Sequence, residues 1–432
     1  MVGRLAIFIL LAVISAASAT AQAPSIAPSA SPVAGESSSP FRPLALPAPS
    51  LIRTGSGRPG ARYWQQRADY RIQATLDTGH HTLTGRETIH YVNRSPDALP
   101  YLWLFVEQNI CGPTSITEKL DQPPLVFLGS VFDFSCKGFA GGLELTSVVV
   151  GLTKVTPVVY GTTMRLDLPH ALALAPGASV DIRIGWRFTV PDYGAGRMGR
   201  DGTLYLLGQW YPRMAVYDDV RGWNHDPYIG GGEFYLEYGS FDVSISVPAS
   251  YIVGATGTLT NPEQVLTPAQ RSRLARARTS ADPMAIISAA EAGHAERTRP
   301  ATAGRLTWHF TADSVRDFAF GAAPDFRWDA SGYKGKLVHT LYRPSAPEWE
   351  EANRMVREGL EYYSEQWYPY PYPQMTSIEG PIEGMEYPMI TFDPRSPARE
   401  DRQWVLAHEL GHQWVPMIVG SNERLYPWMD EG

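Results

Sequence analysis

Cysteine is scarce in this sequence of 432 residues, which contains only Cys111 and Cys136. Two cysteines are too few, and wrongly spaced, for a cysteine-ligated metal site. In an oxidising compartment they could close one disulfide. A domain of this size can also fold without a cross-link, so two buried free thiols are an equal alternative. The sequence leaves both states open.

An excess of positive charge is also absent. The formal net charge is -7 at pH 7, so the sequence has no electrostatic footprint for DNA or RNA, and we expect no nucleic-acid partner. Hydrophobic residues make up 44% of the chain, which is enough for two or three domains with buried cores. The oligomeric state is not evident from composition.

Long apolar runs are missing after the first residues. Arg4 precedes an apolar run from Leu5 to Ile14, and small residues follow at Ala17-Ser18-Ala19. The run is shorter than the roughly 20 apolar residues that span a bilayer. A positive start, a short apolar core and a small-residue cleavage site are typical of a signal peptide. We therefore expect a signal peptide over residues 1–21, a secreted or periplasmic protein, and no stable membrane insertion after cleavage.

The composition then changes twice. Residues 22–62 are rich in proline, serine and alanine, which predicts a disordered linker. From residue 63 to residue 330, short runs alternate between apolar and polar residues, as half-buried strands do. The clearest runs are Tyr70-Ile72-Ala74-Leu76, Ile89-Tyr91, Val180-Ile182-Ile184-Trp186, Phe241-Val243-Ile245-Val247 and Leu306-Trp308-Phe310. This part is predicted to be an antiparallel β-sandwich or saddle.

Helical signals interrupt and then follow the strands. Thr267-Pro268-Ala269-Gln270 is typical of a capping box and predicts a helix to about Arg278. A second capping box is predicted at Ser345-Ala346-Pro347-Glu348. Apolar residues then recur at helical spacing, at Trp349, Ala352, Val356, Leu360, Tyr363 and Trp367. The change of period indicates a second domain over residues 331–432, and the fold class is therefore α+β.

The segment His408-Glu409-Leu410-Gly411-His412 carries the strongest functional signal. Residues four apart lie on one face of a helix, so both imidazoles can reach one zinc ion. Glu409 is then placed to take a proton from the attacking water. Ser396-Pro397 and Gly420 are the predicted helix start and end. Its apolar residues predict a largely buried helix: Trp404, Leu406, Ala407, Leu410, Trp414 and Ile418.

A catalytic zinc site needs a third protein ligand and one open position. Three downstream acids are candidates, Glu423, Asp430 and Glu431. Tyr426-Pro427-Trp428 is typical of the start of another helix, which could present Asp430 or Glu431 to the metal. Spacing alone does not choose between them.

The combined motif resembles the membrane alanyl aminopeptidase (aminopeptidase N) family of gluzincins. In that family a glutamate follows the HExxH motif at the same distance, within a W-x-x-E-G segment like Trp428-Met429-Asp430-Glu431-Gly432. The resemblance implies zinc, one ion per chain, with His408, His412 and Glu431 as ligands. It also implies a β-sandwich followed by the N-terminal part of a thermolysin-like peptidase domain.

The family also carries a G-x-M-E-N motif whose glutamate binds the α-amine of the substrate. Here Gly384-Met385-Glu386 matches it, whereas Glu383 and Tyr387 replace the first glycine and the asparagine. The resemblance implies that Gly384, Met385 and Glu386 bind the amino terminus of peptide substrates. Gly208-Gln209-Trp210 is similar to a glutamine-containing segment that lines the family's cleft, so the resemblance makes Gln209 a further candidate for the amine site. The alternative is a polar residue that caps a core strand.

Family members continue with further helices, including one with a tyrosine that stabilises the oxyanion. No residue here corresponds to that tyrosine, so the resemblance implies a C-terminally truncated chain with an incomplete peptidase domain. We expect a zinc aminopeptidase. The alternatives are a zinc endopeptidase or other gluzincin hydrolase, if Glu383 and Tyr387 alter the amine site, and an inactive β-sandwich binding module.

Overall fold

Short strands make up most of the chain that the structure describes. The computed structural model describes residues 48–117, 125–127, 130–132, 136, 138–169, 173–193 and 197–432. The predicted signal peptide and the predicted linker up to residue 47 lie outside these ranges. Of the described residues, 48–61 belong to one unit, in which Arg53 and Pro59 form an isolated bridge, and Arg62–Gly432 form a second unit. The disorder of the linker stays a prediction.

Most strands precede residue 260. In chain order they are β1 (Arg67–Asp77), β2 (Thr82–Val92), β3 (Tyr101–Phe105), β4 (Leu125–Phe127), β5 (Ser130–Phe132), β6 (Glu144–Val150), β7 (Thr153–Lys154), β8 (Val158–Tyr160), β9 (Thr163–Asp167), β10 (Ser179–Thr189), β11 (Met198–Asp201), β12 (Leu204–Leu207), β13 (Arg213–Met214), β14 (Val216–Asp218), β15 (Gly222–Asn224), β16 (Gly239–Pro248), β17 (Ile252–Ala255) and β18 (Thr258–Leu259).

The remaining strands are β19 (Met284–Ile287), β20 (Arg305–Val315), β21 (Phe320–Ala323), β22 (Arg327–Tyr333), β23 (Lys336–Tyr342), β24 (Gln374–Gly380), β25 (Met385–Tyr387) and β26 (Ile390–Pro394). The α-helices are α1 (Pro262–Val265), α2 (Pro268–Ala277), α3 (Ala295–Thr298), α4 (Ala352–Gln366), α5 (Arg399–Gly411) and α6 (Trp428–Glu431). Two 3₁₀ helices span Glu107–Cys111 and Pro347–Glu351.

The largest sheet follows the order β18-β20-β16-β1-β2-β10-β6-β7. Its inward residues are those that the alternation predicted: Ile72, Ile182, Val243 and Trp308 are all buried. Smaller sheets, β11-β12-β21-β17 and β13-β3-β9-β8, pack their buried faces into the same core. The predicted α+β fold is confirmed. One detail differs from an antiparallel sandwich, because β1 and β16 run parallel.

A second major sheet follows the order β19-β22-β23-β24-β26-β25, and its strand β25 contains Met385 and Glu386 of the predicted amine site. The strands β23, β24 and β26 are parallel, and α4 connects β23 to β24, as a parallel pair requires. The helix α4 buries Ala352, Met355, Val356 and Leu360. The predicted domain boundary at residues 330 and 331 falls inside β22, and the sheet also includes β19 from the preceding region.

The helix signals were right in part. Thr267 caps α2 in a capping box with Gln270, as predicted. The capping box predicted at Ser345 is wrong, because the 3₁₀ helix Pro347–Glu351 begins after Ala346, without a side-chain cap. The helix α5 ends at Gly411 instead of Gly420, since a series of turns that includes the X-Pro bond before Pro416 follows it.

The two cysteines are joined. Cys111 and Cys136 form a disulfide with a Cα–Cα distance of 5.5 Å, which resolves the alternative that composition left open. Both residues pack in a small cluster with Ile110 and Tyr228. Among the described residues, the structure contains no helix that is long and apolar enough to cross a membrane.

Candidate metal centre

The helix α5 presents the HExxH residues towards the core. Glu400 and Asp401 lie in its first turn, where their negative charges interact favourably with the positive end of the helix dipole. Leu406 and Leu410 are buried, whereas Trp404, which we predicted to be buried, is 52% exposed. Trp404 lies one turn before His408, and its ring stacks on the imidazole with centroids 5.2 Å apart.

The two histidines and the distal glutamate converge. His412 follows the last residue of α5 but keeps helical dihedral angles, so it stays on the same face as His408. The two Nε2 atoms are 3.1 Å apart. Oε2 of Glu431 lies 3.2 Å from Nε2 of His408 and 3.8 Å from Nε2 of His412. These donors all lie within 4.8 Å of one another. Two imidazole nitrogens and one carboxylate oxygen fit a zinc ion with an open position.

Asp430 lies on the other side of the His412 ring. Its Oδ1 is 2.9 Å from Nδ1 of His412, and the carbonyl of Val415 is 3.1 Å from the same nitrogen. Acceptors at Nδ1 favour a proton there, which leaves Nε2 free to bind a metal. Asp430 is therefore placed to orient a ligand, whereas Glu431 points at both Nε2 atoms.

The carboxylate of Glu409 is buried beside Gly384. Glu409 is 5% exposed, and its Oε2 has no hydrogen-bond partner in the described part of the chain. Burial and the neighbouring Glu386 raise its pKa well above the usual range, although His412 opposes this shift. A buried carboxyl group that lacks a hydrogen-bond partner beside the candidate zinc ligands is suited to bind a water molecule.

Gly384 is required for two reasons. Its φ of +137° is a conformation that favours glycine. A Cβ atom at this position would collide with the Glu409 carboxylate. The residues Gly384 and Glu409, which come from different motifs, are therefore in direct contact.

Glu386 lies on the edge strand β25 with Met385, and both side chains are buried. Burial raises the pKa of Glu386 to about 8; His412 opposes this, and Asp430 and Glu431 add to it. The strand β26 lies between β24 and β25, so β25 forms the open edge of this sheet.

Gln209 lies behind this edge strand. It is 1% exposed, with a positive φ of 51°, and its carbonyl accepts a hydrogen bond from Gln108 at 2.6 Å. Its Nε2 has no hydrogen-bond partner among the described residues. A Cβ atom on the preceding Gly208 would collide with the Tyr387 hydroxyl, so this segment packs directly against β25.

The sequence analysis missed Gln413, which connects the end of β25 to the HExxH segment through two hydrogen bonds. Its Oε1 accepts from the Met389 amide at 2.7 Å, and its Nε2 donates to the Tyr387 carbonyl at 2.9 Å. Gln413 directly follows His412, so the candidate ligand and the edge strand are held together. No local sequence pattern identifies it, because both of its hydrogen-bond partners lie on a different segment of the chain.

Arg197 and Glu233 were also missed. They form a buried ion pair, and a Glu233 oxygen lies within 4.8 Å of oxygens of Asp430 and Glu431. The hydrogen bond with His408 is the largest cause that lowers the pKa of Glu431, and the positive charge of Arg197 adds a smaller effect in the same direction. No local motif marks either residue, because their importance depends on contacts distant in sequence.

Comparisons with known proteins give structural matches alone. No protein-family model and no curated protein matches this sequence. A solved M1 zinc metallopeptidase from Deinococcus radiodurans superposes with a TM-score of 0.51 and 17% identity, covering 85% of this chain and 68% of that chain. A point mutant of the Deinococcus radiodurans protein gives a TM-score of 0.50, also at 17% identity, with 87% and 70% covered.

The chain has the fold of these M1 zinc metallopeptidases. A third structure is that mutant bound to a Tyr-Ser-Ala substrate, again at 17% identity with a TM-score of 0.50, covering 85% of this chain and 68% of that one. The likeness confirms the peptidase fold that the motifs suggested. At this identity it shows the fold, and the chemistry has to be argued from the residues of this chain.

Proposed function

We propose that this chain is a zinc metallopeptidase of the aminopeptidase type, which binds one zinc ion and removes residues from the free amino terminus of peptides. The observation that carries the proposal is the convergence of His408, His412 and Glu431 beside the buried Glu409. Two imidazoles, one carboxylate and an adjacent free acid are the residue types that a hydrolytic zinc site requires.

Zinc bound by these three residues would supply a Lewis acid that polarises the scissile carbonyl and lowers the pKa of a water molecule. The protein residues perform the proton transfers. Glu409 takes a proton from the attacking water and later delivers a proton to the leaving amine. Gly384 leaves the space in which the Glu409 carboxylate lies.

The edge strand β25 would hold the substrate. An extended peptide can pair with an open strand edge through backbone hydrogen bonds, which aligns its scissile bond. Glu386 on this strand has one buried oxygen, Oε1, without a hydrogen-bond partner among the described residues. The α-ammonium of a peptide is a partner of the right charge, and an ammonium bound there fixes one end of the substrate.

Hydrolysis of an aminoacyl p-nitroanilide, compared with its N-acetylated form, tests the proposal. We expect the free-amine substrate to be cleaved and the acetylated form to be nearly inert. Glu386→Gln should reduce kcat/KM for the free amine by about ten- to a hundred-fold, as for a charge-assisted contact of ~1.5–3 kcal/mol. Comparable cleavage of internally placed bonds in blocked peptides would instead favour an endopeptidase.

We also propose that the protein is exported. The disulfide between Cys111 and Cys136 supports this, because such bonds persist mainly in oxidising compartments. Amino-terminal sequencing of protein made in a secreting host should show a start near residue 22. A mature protein that keeps Met1 would contradict the export proposal.

A further inference from the structure

A second cavity lies between the two major sheets, among residues that the proposed peptidase reaction does not use. Its volume is about 370 Å³, in the range of sites for small organic ligands. The strands β17, β18 and β20 form one side, β22 and β23 form the other, and α1 and α2 cover it.

The walls of this cavity are apolar and partly aromatic. They include Leu259, Leu266, Leu274, Trp308, Phe310 and Trp328. Trp308 and Phe310 stack with their ring planes 7° apart, so one wall is flat. An apolar cavity of this size favours an apolar ligand body, because binding there removes the apolar surface of the ligand from water.

The polar groups of the cavity are mostly donors. The Trp308 side chain is buried, and its Nε1 has no hydrogen-bond partner in the described part of the chain. His339 accepts from Nε1 of Trp328 at 3.2 Å through its Nδ1, so the neutral ring carries its proton on Nε2 as a second donor. Burial and the charge of Arg278 hold the pKa of His339 at about 3, which keeps the ring neutral.

Acceptors in the cavity are already engaged. Oε1 of Gln374 accepts from the Thr376 hydroxyl at 2.8 Å. The carboxylate of Glu263, at the exposed rim, lies 3.7 Å from Arg271. Both Arg271 and Arg278 line the cavity on the side of α2. Arg271 pairs with Glu263, and Nη1 of Arg278 donates to the Gly335 carbonyl at 2.9 Å. The charge of Arg278, its remaining guanidinium nitrogens and the Nε2 of His339 suit a ligand with an anionic head group.

We propose that this cavity binds a small amphipathic carboxylate, an alkyl chain of medium length with an acidic head group. The chain lies against Trp308, Phe310 and Leu274, and the carboxylate accepts hydrogen bonds at the end that Arg278 and His339 line. This site is separate in its residues from the candidate metal centre, so its occupancy does not depend on the proposed peptidase activity.

Isothermal titration with three probes that share one tail tests this assignment. We expect octanoate to bind in a 1:1 ratio with a negative heat-capacity change, as burial of apolar surface requires. Octanol should bind at least about ten-fold more weakly, because it lacks the charge-assisted hydrogen bonds, and octylammonium should not bind. Octanol that binds as tightly as octanoate, or the absence of saturable binding to folded protein, would overturn the proposal.

Substitutions of cavity residues test whether octanoate binds in this cavity. Leu274→Trp should fill the cavity and abolish binding of octanoate, whereas Leu274→Met preserves the volume and should retain it. Arg278→Gln should reduce octanoate affinity to the octanol level without changing octanol affinity. Thermal unfolding establishes that each variant is folded, and Glu409→Gln should bind octanoate like the parent. Unchanged octanoate binding in a folded Leu274→Trp variant would place the ligand elsewhere.

Discussion

Arg424 and Glu107 form a buried ion pair, which joins the segment before Glu431 to the strand-rich region. The guanidinium of Arg424 also lies 4.8 Å from the ring centre of Phe105 and 4.9 Å from that of Tyr228. The adjacent Glu423 accepts a hydrogen bond from the Phe234 amide at 2.7 Å. The position of the third candidate ligand is therefore set by residues far away in sequence.

Loss of the Arg424 contact should weaken zinc binding, because it loosens the segment that positions Glu431. Arg424→Gln leaves the buried Glu107 without one of its two cationic partners, which typically costs about 3–5 kcal/mol. Competition with a chromophoric chelator should show a higher zinc Kd. Arg221→Gln, which breaks an exposed ion pair with Asp226, is the control and should leave the Kd unchanged. Equal zinc Kd values in both variants would show that Arg424 does not help to position Glu431.

Asp430 and Glu431 should differ in their effect on zinc. Glu431→Gln replaces a candidate ligand and should nearly abolish binding. Asp430→Asn removes the negative charge beside Nδ1 of His412, while the Val415 carbonyl remains as an acceptor, and it should weaken binding by roughly 10- to 100-fold. The exposed Asp181→Asn serves as a control, since Asp181 contacts only a surface histidine among its described ion pairs. If Asp430→Asn were the more damaging change, the two roles would have to be exchanged.

Gly384→Ala should stop hydrolysis while zinc remains bound. The added methyl group would displace the Glu409 carboxylate, and a misplaced general base loses its typical contribution of about 10²–10⁴ in rate. Gly177→Ala is a matched control, because Gly177 also has a positive φ, of 75°, but has open space around its Cα. Steady-state kinetics and elemental analysis of both variants test this, and full activity of Gly384→Ala would contradict the assigned geometry.

The stability of the protein should depend on pH through Glu237, a residue of the strand-rich region. Burial raises its pKa to about 8, with Arg316 opposing and Asp218 adding to the shift. The unfolded chain loses this proton near pH 4.5 and the folded chain only near pH 8, so folding is progressively penalised between these values. Glu237→Gln should therefore raise the Tm relative to the parent increasingly from pH 5 to pH 8. A pH-independent Tm difference would argue against a buried, protonated Glu237.

Residues on regular elements were predictable, and residues fixed by distant contacts were not. Alternation placed Ile72 and Val243 in the core because a strand has a strict period of two. Trp404 was misjudged, because its ring stacks on the imidazole of His408 one turn further along and stays exposed. The order of β24, β26 and β25, which decides which strand is open, depends on pairings that no local pattern encodes.

The five residues of the HExxH motif were enough to predict that both histidines lie on one face of a helix, because residues four apart are neighbours there. The choice of Glu431 over Asp430 came from a resemblance to a family, not from spacing. In the structure the two side chains approach different nitrogens of His412, at 3.8 Å and 2.9 Å. The supporting residues Gln413 and Arg424 could be recognised only from the assembled structure, because their partners are β25 and Glu107.

Zinc stoichiometry by elemental analysis is the decisive test of the metal centre formed by His408, His412 and Glu431. We expect one zinc per chain in the parent and almost none in His412→Ala. His90→Ala, which removes a histidine paired with Asp181 on the sheet surface, should retain one zinc per chain. Full zinc content in a folded His412→Ala variant would contradict the proposed metal centre.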